Sequence, residues 1–430
     1  MRRLVGWIAR FASTLLLHRV EVADLDRLPR NRPVLVVANH FYGFVDPLLI
    51  ASTLGGKAPR FVAKAGLAKI PLAGFVLKRA GVVFVHRQVD KGGSGGNESA
   101  FREVEQALAR GDIVAIFPEG TTHDRPKMDP LKTGAARMAL GGRTAGAAGL
   151  VVVPVGITYP DKVALRASAL VQVGLPIELD VVVPTGAGAD DREAVTQLTA
   201  VIDRGLRSVT PDFPDVETQL ALEQAAYVAL SSREEPDPSL QQRYDLSRRL
   251  GRAAPEQQDA VRTAIGRYTT MLSGLHLGDR DIVAPTNPSR VLRSTIGIGI
   301  IVVLLGGLVA ATALVNAIPA LLVALTSLVV KAPVSKGTYR ALVGLIAFPA
   351  SWITAAVLRT DGFLPVLFVT IGGAIGAVAA ILLVERALAL TRMLLRWQAQ
   401  RERARTIEWA AEVREQVVEA VNTARRTVAA

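Results

Sequence analysis

Residues 294–330 contain no charged side chain, and two further uncharged runs follow at 341–358 and 362–384. About 20 apolar residues suffice to cross the hydrocarbon core of a bilayer, so these runs predict membrane spans. The first is too long for a single pass, and Asn316-Ala317-Ile318-Pro319 interrupts it. This predicts a span that turns near the tetrapeptide and is followed by a short or re-entrant helix. The spans raise the mean hydropathy of the whole chain to +0.32, while 50 Lys+Arg against 38 Asp+Glu give a net charge of +12. Disorder and collagen-like repeats do not fit such a composition. The chain has no cysteine, which excludes disulfides, Cys-ligated zinc, iron–sulfur clusters and a thiol nucleophile. A basic chain suits nucleic acid, an anionic membrane surface or phosphorylated substrates. The spans favour the last two and argue against nucleic acid.

Residues 1–25 form an amphipathic N-terminal segment. Arg10 breaks the apolar run and no small-residue cleavage site follows, so a signal peptide does not fit. Leu4, Ile8, Phe11 and Leu15 recur at helical spacing beside Trp7, with Arg2, Arg3, Arg10 and Arg19 as cations. The pattern fits a helix in a membrane interface or one packed on its own domain, and the interface is favoured. Over residues 30–210 short apolar runs (34–38, 82–85, 113–117, 151–155, 169–173) alternate with helical stretches at 98–110 and 134–141. This predicts an α/β domain. The segment 91–97, Lys-Gly-Gly-Ser-Gly-Gly-Asn, is a flexible connection. Residues 211–290 are polar, helical and Pro-punctuated, and are expected to pack on the α/β domain. Residues 294–385 are the membrane helices, and 386–430 a basic, solvated cytoplasmic helix beside anionic headgroups.

The chemistry-bearing residues sit in the α/β domain, next to the predicted strands. His40 follows the 34–38 strand, and Asp46-Pro47 looks like an N-cap with proline at the first helical position. A histidine with a carboxylate nearby can take a proton from a hydroxyl near neutral pH, the carboxylate fixing its tautomer. His86-Arg87 ends the second strand. The third is followed by Pro118-Glu119-Gly120 and then by Arg125, Lys127 and Lys132. Cations and turn amides at strand ends can bind phosphate. The fourth block, 151–159, reads as a buried strand with no chemistry of its own.

Taken together and in order, these blocks resemble the phospholipid/glycerol acyltransferase superfamily. They are Asn39-His40…Asp46, Gly81…Phe84…Arg87, Phe117-Pro118-Glu119-Gly120 and Val153-Pro154-Val155. The spacer between His40 and Asp46 has one residue more than the family's commonest form. It matches the glycerol-3-phosphate/dihydroxyacetone-phosphate acyltransferase branch, as does Thr122-His123-Asp124-Arg125…Pro130-Leu131-Lys132-Thr133-Gly134. The resemblance covers roughly residues 30–285. It implies an α/β acyltransferase domain, a mixed sheet flanked by helices, with a helical extension and a C-terminal α-helical membrane region. It also implies His40 as general base and Asp46 as its orienting carboxylate. Arg87 would bind the acceptor phosphate, helped by Arg125, Lys64 and Lys132. Glu119 and Gly120 would shape the acceptor pocket, and Asn39 would support the histidine loop. No metal or cofactor is implied. Acyl-CoA or acyl carrier protein is the co-substrate, a glycerol phosphate the acceptor, and membrane lipids the surroundings.

A lysophosphatidic acid acyltransferase would use the same blocks. A metal-dependent hydrolase built on His40, Asp46, His123 and Asp124 is disfavoured, because His40 lacks a second histidine on one helical face. An inactive membrane scaffold is the reading from another class, and the spans lack the ionisable residues that transport helices usually bury. The distribution of Lys and Arg predicts that the catalytic domain, residues 331–340 and the C-terminal tail lie on the cytoplasmic side of the cell membrane. The sequence sets no oligomeric state.

Overall fold

The computed structural model describes residues 2–54, 58–69, 73–86, 97–123, 125–161, 166–275, 277–284, 287–331, 333–402 and 404–429. Arg87, Asp124 and residues 91–96 of the Gly-rich connection lie outside the described residues. In chain order the elements of the first part are α1 (Arg2–Leu16), β1 (Arg19–Ala23), β2 (Val34–Ala38), α2 (Val45–Thr53), β3 (Arg60–Lys64), α3 (Ala73–Arg79) and β4 (Val83–Val85). Then come α4 (Glu98–Ala109), β5 (Ile113–Ile116), α5 (Gly134–Thr144), β6 (Val151–Thr158), β7 (Ser168–Val173), β8 (Ile177–Glu178), α6 (Leu179–Val182) and α7 (Arg192–Arg207). The helices that follow are α8 (Val216–Leu230), α9 (Leu240–Leu250), α10 (Pro255–Leu275), α11 (Asp279–Val283), α12 (Pro288–Val329), α13 (Pro333–Arg359), α14 (Phe363–Glu402) and α15 (Ala404–Ala429). Two compact units result, 1–212 with 330–341 and 213–329 with 342–430.

The first unit is a mixed sheet flanked by helices, with strand order β1-β7-β6-β2-β5-β3-β4 and β8 beside β6. β1–β7, β6–β2, β2–β5, β5–β3 and β3–β4 pair in parallel, while β6 is antiparallel to β7 and β8. β2 is apolar throughout because the sheet is covered on both faces. Leu35 and Val37 pack with Leu108, Leu140 and Leu198 of α4, α5 and α7. Val34, Val36 and Ala38 pack with Leu49 and Ile50 of α2. Val34 stands level with both Ile113 and Val151, so the chain leaves β2, β5 and β6 along one edge.

Two strands of this sheet have no clear sequence signal. β1 and β3, Arg-Val-Glu-Val-Ala and Arg-Phe-Val-Ala-Lys, are short and half polar, and only pairing with β7 and β5 recruits them. The helix predicted within residues 1–25 therefore stops at Leu16, and residues 19–23 join the sheet. α1 packs on its own domain, one of the two roles the sequence allows. Ala9, Ala12 and Ser13 are buried, and Ser13 Oγ donates to Ser52 Oγ of α2 at 3.2 Å. Leu4, Trp7, Ile8 and Phe11 point outward, Trp7 with 70% of its surface exposed.

In the second unit α8 and α9 are capped by Asp215 and Ser239, and Pro255 opens α10. Leu222, Leu250 and Ile265 form a core with Val417 and Val421 of α15. One expectation is corrected here: residues 404–429 are not a fully solvated helix, because Val417, Val421 and Ala424 are buried in this core. Three of the helices, α12, α13 and α14, contain stretches long and apolar enough to cross a membrane.

The interruption predicted at residues 316–319 is also corrected. α12 runs unbroken through Pro319, so it neither turns nor re-enters. Proline in a helix removes the hydrogen bond to the carbonyl four residues earlier. Here that carbonyl is Val315's, and Ser351 Oγ of α13 donates to it at 2.7 Å. Asn316 completes the join. Its Oδ1 accepts from Trp352 Nε1 at 2.8 Å and its Nδ2 donates to the Gly373 carbonyl at 3.2 Å. Neighbouring helices thus satisfy the groups that proline frees, as bilayer-spanning helices require.

Candidate active site

Asn39 and His40 leave the C-terminal end of β2, the edge where ligands bind in open α/β sheets. Asn39 is fully buried and locks onto β6, donating to the Ile157 carbonyl at 2.8 Å and accepting from Ile157 N–H at 2.7 Å. This anchors the backbone immediately before the histidine. The loop then turns back at Gly43 (φ +50°) and enters α2 at Val45. Asp46 is consequently inside the first turn, one residue beyond the start of the helix, and does not cap it.

The Asp46 carboxylate is fully buried and receives three hydrogen bonds. Oδ2 faces His40 Nδ1 at 2.9 Å and accepts from Tyr42 N–H at 2.7 Å, and Oδ1 accepts from Tyr159 Oη at 2.6 Å. Burial, and next the negative charge of Asp46, push the Tyr159 hydroxyl well above its ordinary range, so it stays a donor. With Nδ1 held by the carboxylate, Nε2 is the nitrogen His40 can offer to a substrate. The ring stacks on Phe117 from the end of β5, with centroids 4.2 Å apart and planes at 19°. The side chain retains 16% exposure, so the imidazole is fixed in orientation yet reachable.

Glu119 clamps this loop from below. Its Oε1 accepts from His40 N–H at 3.1 Å, and its Oε2 lies 2.5 Å from His123 Nε2 and accepts from Asp129 N–H at 3.0 Å. Its carboxylate therefore positions the histidine's backbone in addition to any pocket it shapes. Gly120 has φ +69°, and a Cβ there would approach Lys132 Nζ to 2.9 Å. That turn brings Lys132 beside the block, with its N–H donating to the Pro118 carbonyl at 2.9 Å. Glu119, His123 and Asp129 form the group among the described residues whose donor atoms lie close enough to hold a metal ion. Those atoms are engaged with one another, and Arg125 ion-pairs with Asp129.

The structure thus brings together Asn39, His40, Asp46, Glu119 and Gly120, with Lys132 at the turn. Lys64 is exposed at the end of β3, and Arg125 is exposed beside Asp129. The sequence missed Tyr159, Tyr42 and the backbone of Ile157. Block four, read as carrying no chemistry, holds both Asn39 and Asp46. A tyrosine directly after a buried β-run, at the same strand edge as His40, was the available signal.

A sequence model of the acyltransferase family matches residues 19–158, from β1 through β6. Residues 19–158 are an acyltransferase-family domain. The domain resembles glycerol-3-phosphate O-acyltransferase 2 of Saccharomyces cerevisiae, 37% identical over 30% of this chain and 18% of the yeast protein. It resembles a lyso-ornithine lipid O-acyltransferase of Pseudomonas aeruginosa, 36% identical over 36% of this chain and 52% of that protein. The human 1-acyl-sn-glycerol-3-phosphate acyltransferase alpha is 35% identical over 28% of this chain and 41% of its own length. The chain therefore spans under a fifth of that yeast relative and about half of the bacterial one. Among solved structures, the 1-acyl-sn-glycerophosphate acyltransferase of Thermotoga maritima gives a TM-score of 0.36 at 23% identity, over 48% of this chain and 77% of that one.

Proposed function

We propose that the protein is a membrane-bound acyltransferase that moves a fatty acyl group from acyl-CoA or acyl carrier protein to the hydroxyl of glycerol-3-phosphate or dihydroxyacetone phosphate, in phospholipid synthesis. The observation that carries this reading is the His40–Asp46 pair, its Nδ1 engaged and its ring reachable at the strand edge. In the reaction, His40 Nε2 takes the acceptor's hydroxyl proton as its oxygen attacks the thioester carbonyl. Asp46 stabilises the imidazolium that forms. A turn amide stabilises the tetrahedral oxyanion. The C–S bond then breaks and the departing thiolate takes the proton from His40, leaving an ester and a free thiol. Nothing in this sequence of steps needs a metal or a covalent acyl-enzyme.

Arg87, with Arg125, Lys64 and Lys132, is proposed to bind the acceptor phosphate, and Glu119 and Gly120 to shape the pocket. The site would face the cytoplasm, where acyl donors and glycerol phosphates are made. A second reading, transfer to a lysolipid such as lysophosphatidic acid, draws support from the human relative, a 1-acyl-sn-glycerol-3-phosphate acyltransferase, and from the bacterial one, which acylates a lyso-ornithine lipid. The test is radiolabelled acyl-CoA with purified membranes and, side by side, glycerol-3-phosphate, dihydroxyacetone phosphate and lysophosphatidic acid. Faster labelling of either small phosphate supports the first reading, and faster labelling of lysophosphatidic acid supports the second. An inactive scaffold would label none, and a hydrolase would release free fatty acid.

A further inference from the structure

At the opposite end of the sheet from His40, α1, β3 and the α3–β4 turn line an open cavity of about 500 Å³. Arg2, Arg3, Arg60, Lys78 and Arg79 line it together with Gly81, and no acidic residue is among the described residues of its wall. Two of the cations are held from behind. Asp112 bonds Arg2 Nη1 through Oδ1 and Arg60 Nε through Oδ2, the latter at 2.8 Å, and Arg2 Nε donates to the Ala58 carbonyl at 2.8 Å. Burial opposes ionisation of Asp112, but the bonds from Arg60 and Arg2 outweigh it and hold its carboxyl below the ordinary range. Gly81, at φ +81°, leaves room for the Arg60 guanidinium, which a Cβ would meet at 2.8 Å. Five cations around one hollow, two of them shared with Asp112, are a site for an oxyanion, and an arginine can bind two oxygens at once.

The cavity cannot belong to the catalytic edge. Arg60 pairs with Val114, which stands level with Leu35, and His40 follows five residues later along parallel strands, roughly 17 Å away at strand spacing. Its surroundings are also those of a bilayer surface. α1 carries Arg2 and Arg3 into the wall and turns Trp7, Ile8 and Phe11 outward. On the other side Phe75 of α3 is 63% exposed, and the Arg79 guanidinium sits 5.8 Å from its ring centre. Cations at headgroup height beside exposed aromatic and aliphatic side chains are the pattern of interfacial binding.

We propose that this cavity holds the phosphate headgroup of an anionic phospholipid from the bilayer on which α1 lies, with Trp7, Phe11 and Phe75 entering the interface around it. The inference uses the membrane-bound part of the reading above and none of its chemistry. A zwitterionic lipid offers a phosphate too, but its trimethylammonium group would meet the same cations.

The full chain, purified in a neutral detergent, is titrated with phosphatidylglycerol or phosphatidylcholine, and bound lipids are counted by native mass spectrometry. The triple variant R3Q/K78Q/R79Q leaves the Arg2–Asp112–Arg60 group intact and so preserves the fold. Wild type is expected to hold one phosphatidylglycerol that the triple variant binds at least tenfold more weakly, and to prefer it at least tenfold over phosphatidylcholine. Because the chain has no cysteine, a fluorophore on Phe75→Cys gives a second measurement: a blue shift on phosphatidylglycerol nanodiscs that the triple variant loses. Equal binding of phosphatidylcholine, or undiminished phosphatidylglycerol in the triple variant, overturns the proposal. So does displacement of the lipid by equimolar glycerol phosphate, inorganic phosphate or coenzyme A, which would mark a site for a soluble anion. H40A is expected to retain the lipid while losing acyl transfer, so failure here and failure of the enzymatic reading are told apart.

Discussion

Two buried asparagines organise two different regions of this molecule. Asn39 joins the end of β2 to β6, and Asn316 joins α12 to α13 and α14. Each amide exchanges two hydrogen bonds with its neighbours, as buried polar groups must. The networks differ in where they end. Around Asn316 the chain of bonds closes among Trp352, Gly373 and, next to it, Ser351 with Val315. Around Asn39 it continues through the backbone to His40, whose Nδ1 is bound and whose ring still reaches the surface. A buried polar network is therefore not in itself a sign of chemistry. The sign is a titratable group that the network orients and leaves accessible.

The largest effect that could break this contrast is on His40. H40A is expected to leave a folded, membrane-bound protein with transfer reduced at least about a hundredfold, the low end for loss of a general base. Transfer within a few-fold of wild type, with an unchanged melting curve, would remove His40 from the mechanism. N39A should act on both readouts. It strands the N–H and carbonyl of Ile157, at a cost of about 1–3 kcal/mol in stability, and it should also lower kcat by loosening the backbone before His40. A stability loss with kcat intact would show that the anchor is structural only.

N316L should separate the regions. Leaving Trp352 Nε1 and the Gly373 carbonyl without their partner is expected to cost about 1–2 kcal/mol, the range of interhelical bonds in bilayers. Transfer per folded molecule should stay near wild type. Unfolding in mixed detergent measures the first and the radiolabel assay the second; a specific loss of kcat would deny the contrast. Y159F returns to the catalytic region. Asp46 keeps His40 and the Tyr42 N–H but loses one donor, worth about 1.5–3 kcal/mol in a fully desolvated charged contact and less where solvent can substitute. A fall in kcat of about tenfold, with acceptor KM unchanged, is expected from steady-state kinetics. A change confined to KM would place Tyr159 in substrate binding instead.

Several features were legible in the sequence because one physical signal determines each of them locally. Uncharged runs of about the length of a bilayer crossing or more marked the apolar helices. β2, β5 and β6 stood out because strands buried on both faces read as nearly continuous apolar runs. The placement of His40, Asp46, Glu119 and Gly120 beside strand ends was legible because each directly follows an apolar run or sits within a few residues of one. β1 and β3 were not legible, since edge or near-edge strands with charged ends acquire their conformation from the neighbour they pair with. Tyr159 was not legible as a donor to Asp46 because the two are joined only by the pairing of β6 with β2. Pro319 signalled a break by local rules, and it stays helical because a hydroxyl from another helix accepts the task of the missing N–H. Local periodicity and composition thus determined which segments are strands, helices and apolar runs, since these depend on neighbours along the chain. Tertiary structure alone decided which groups meet across the sheet and between helices: hydrogen bonds act over about 3 Å and connect residues that the sequence holds more than a hundred positions apart, as with Asn39 and Ile157.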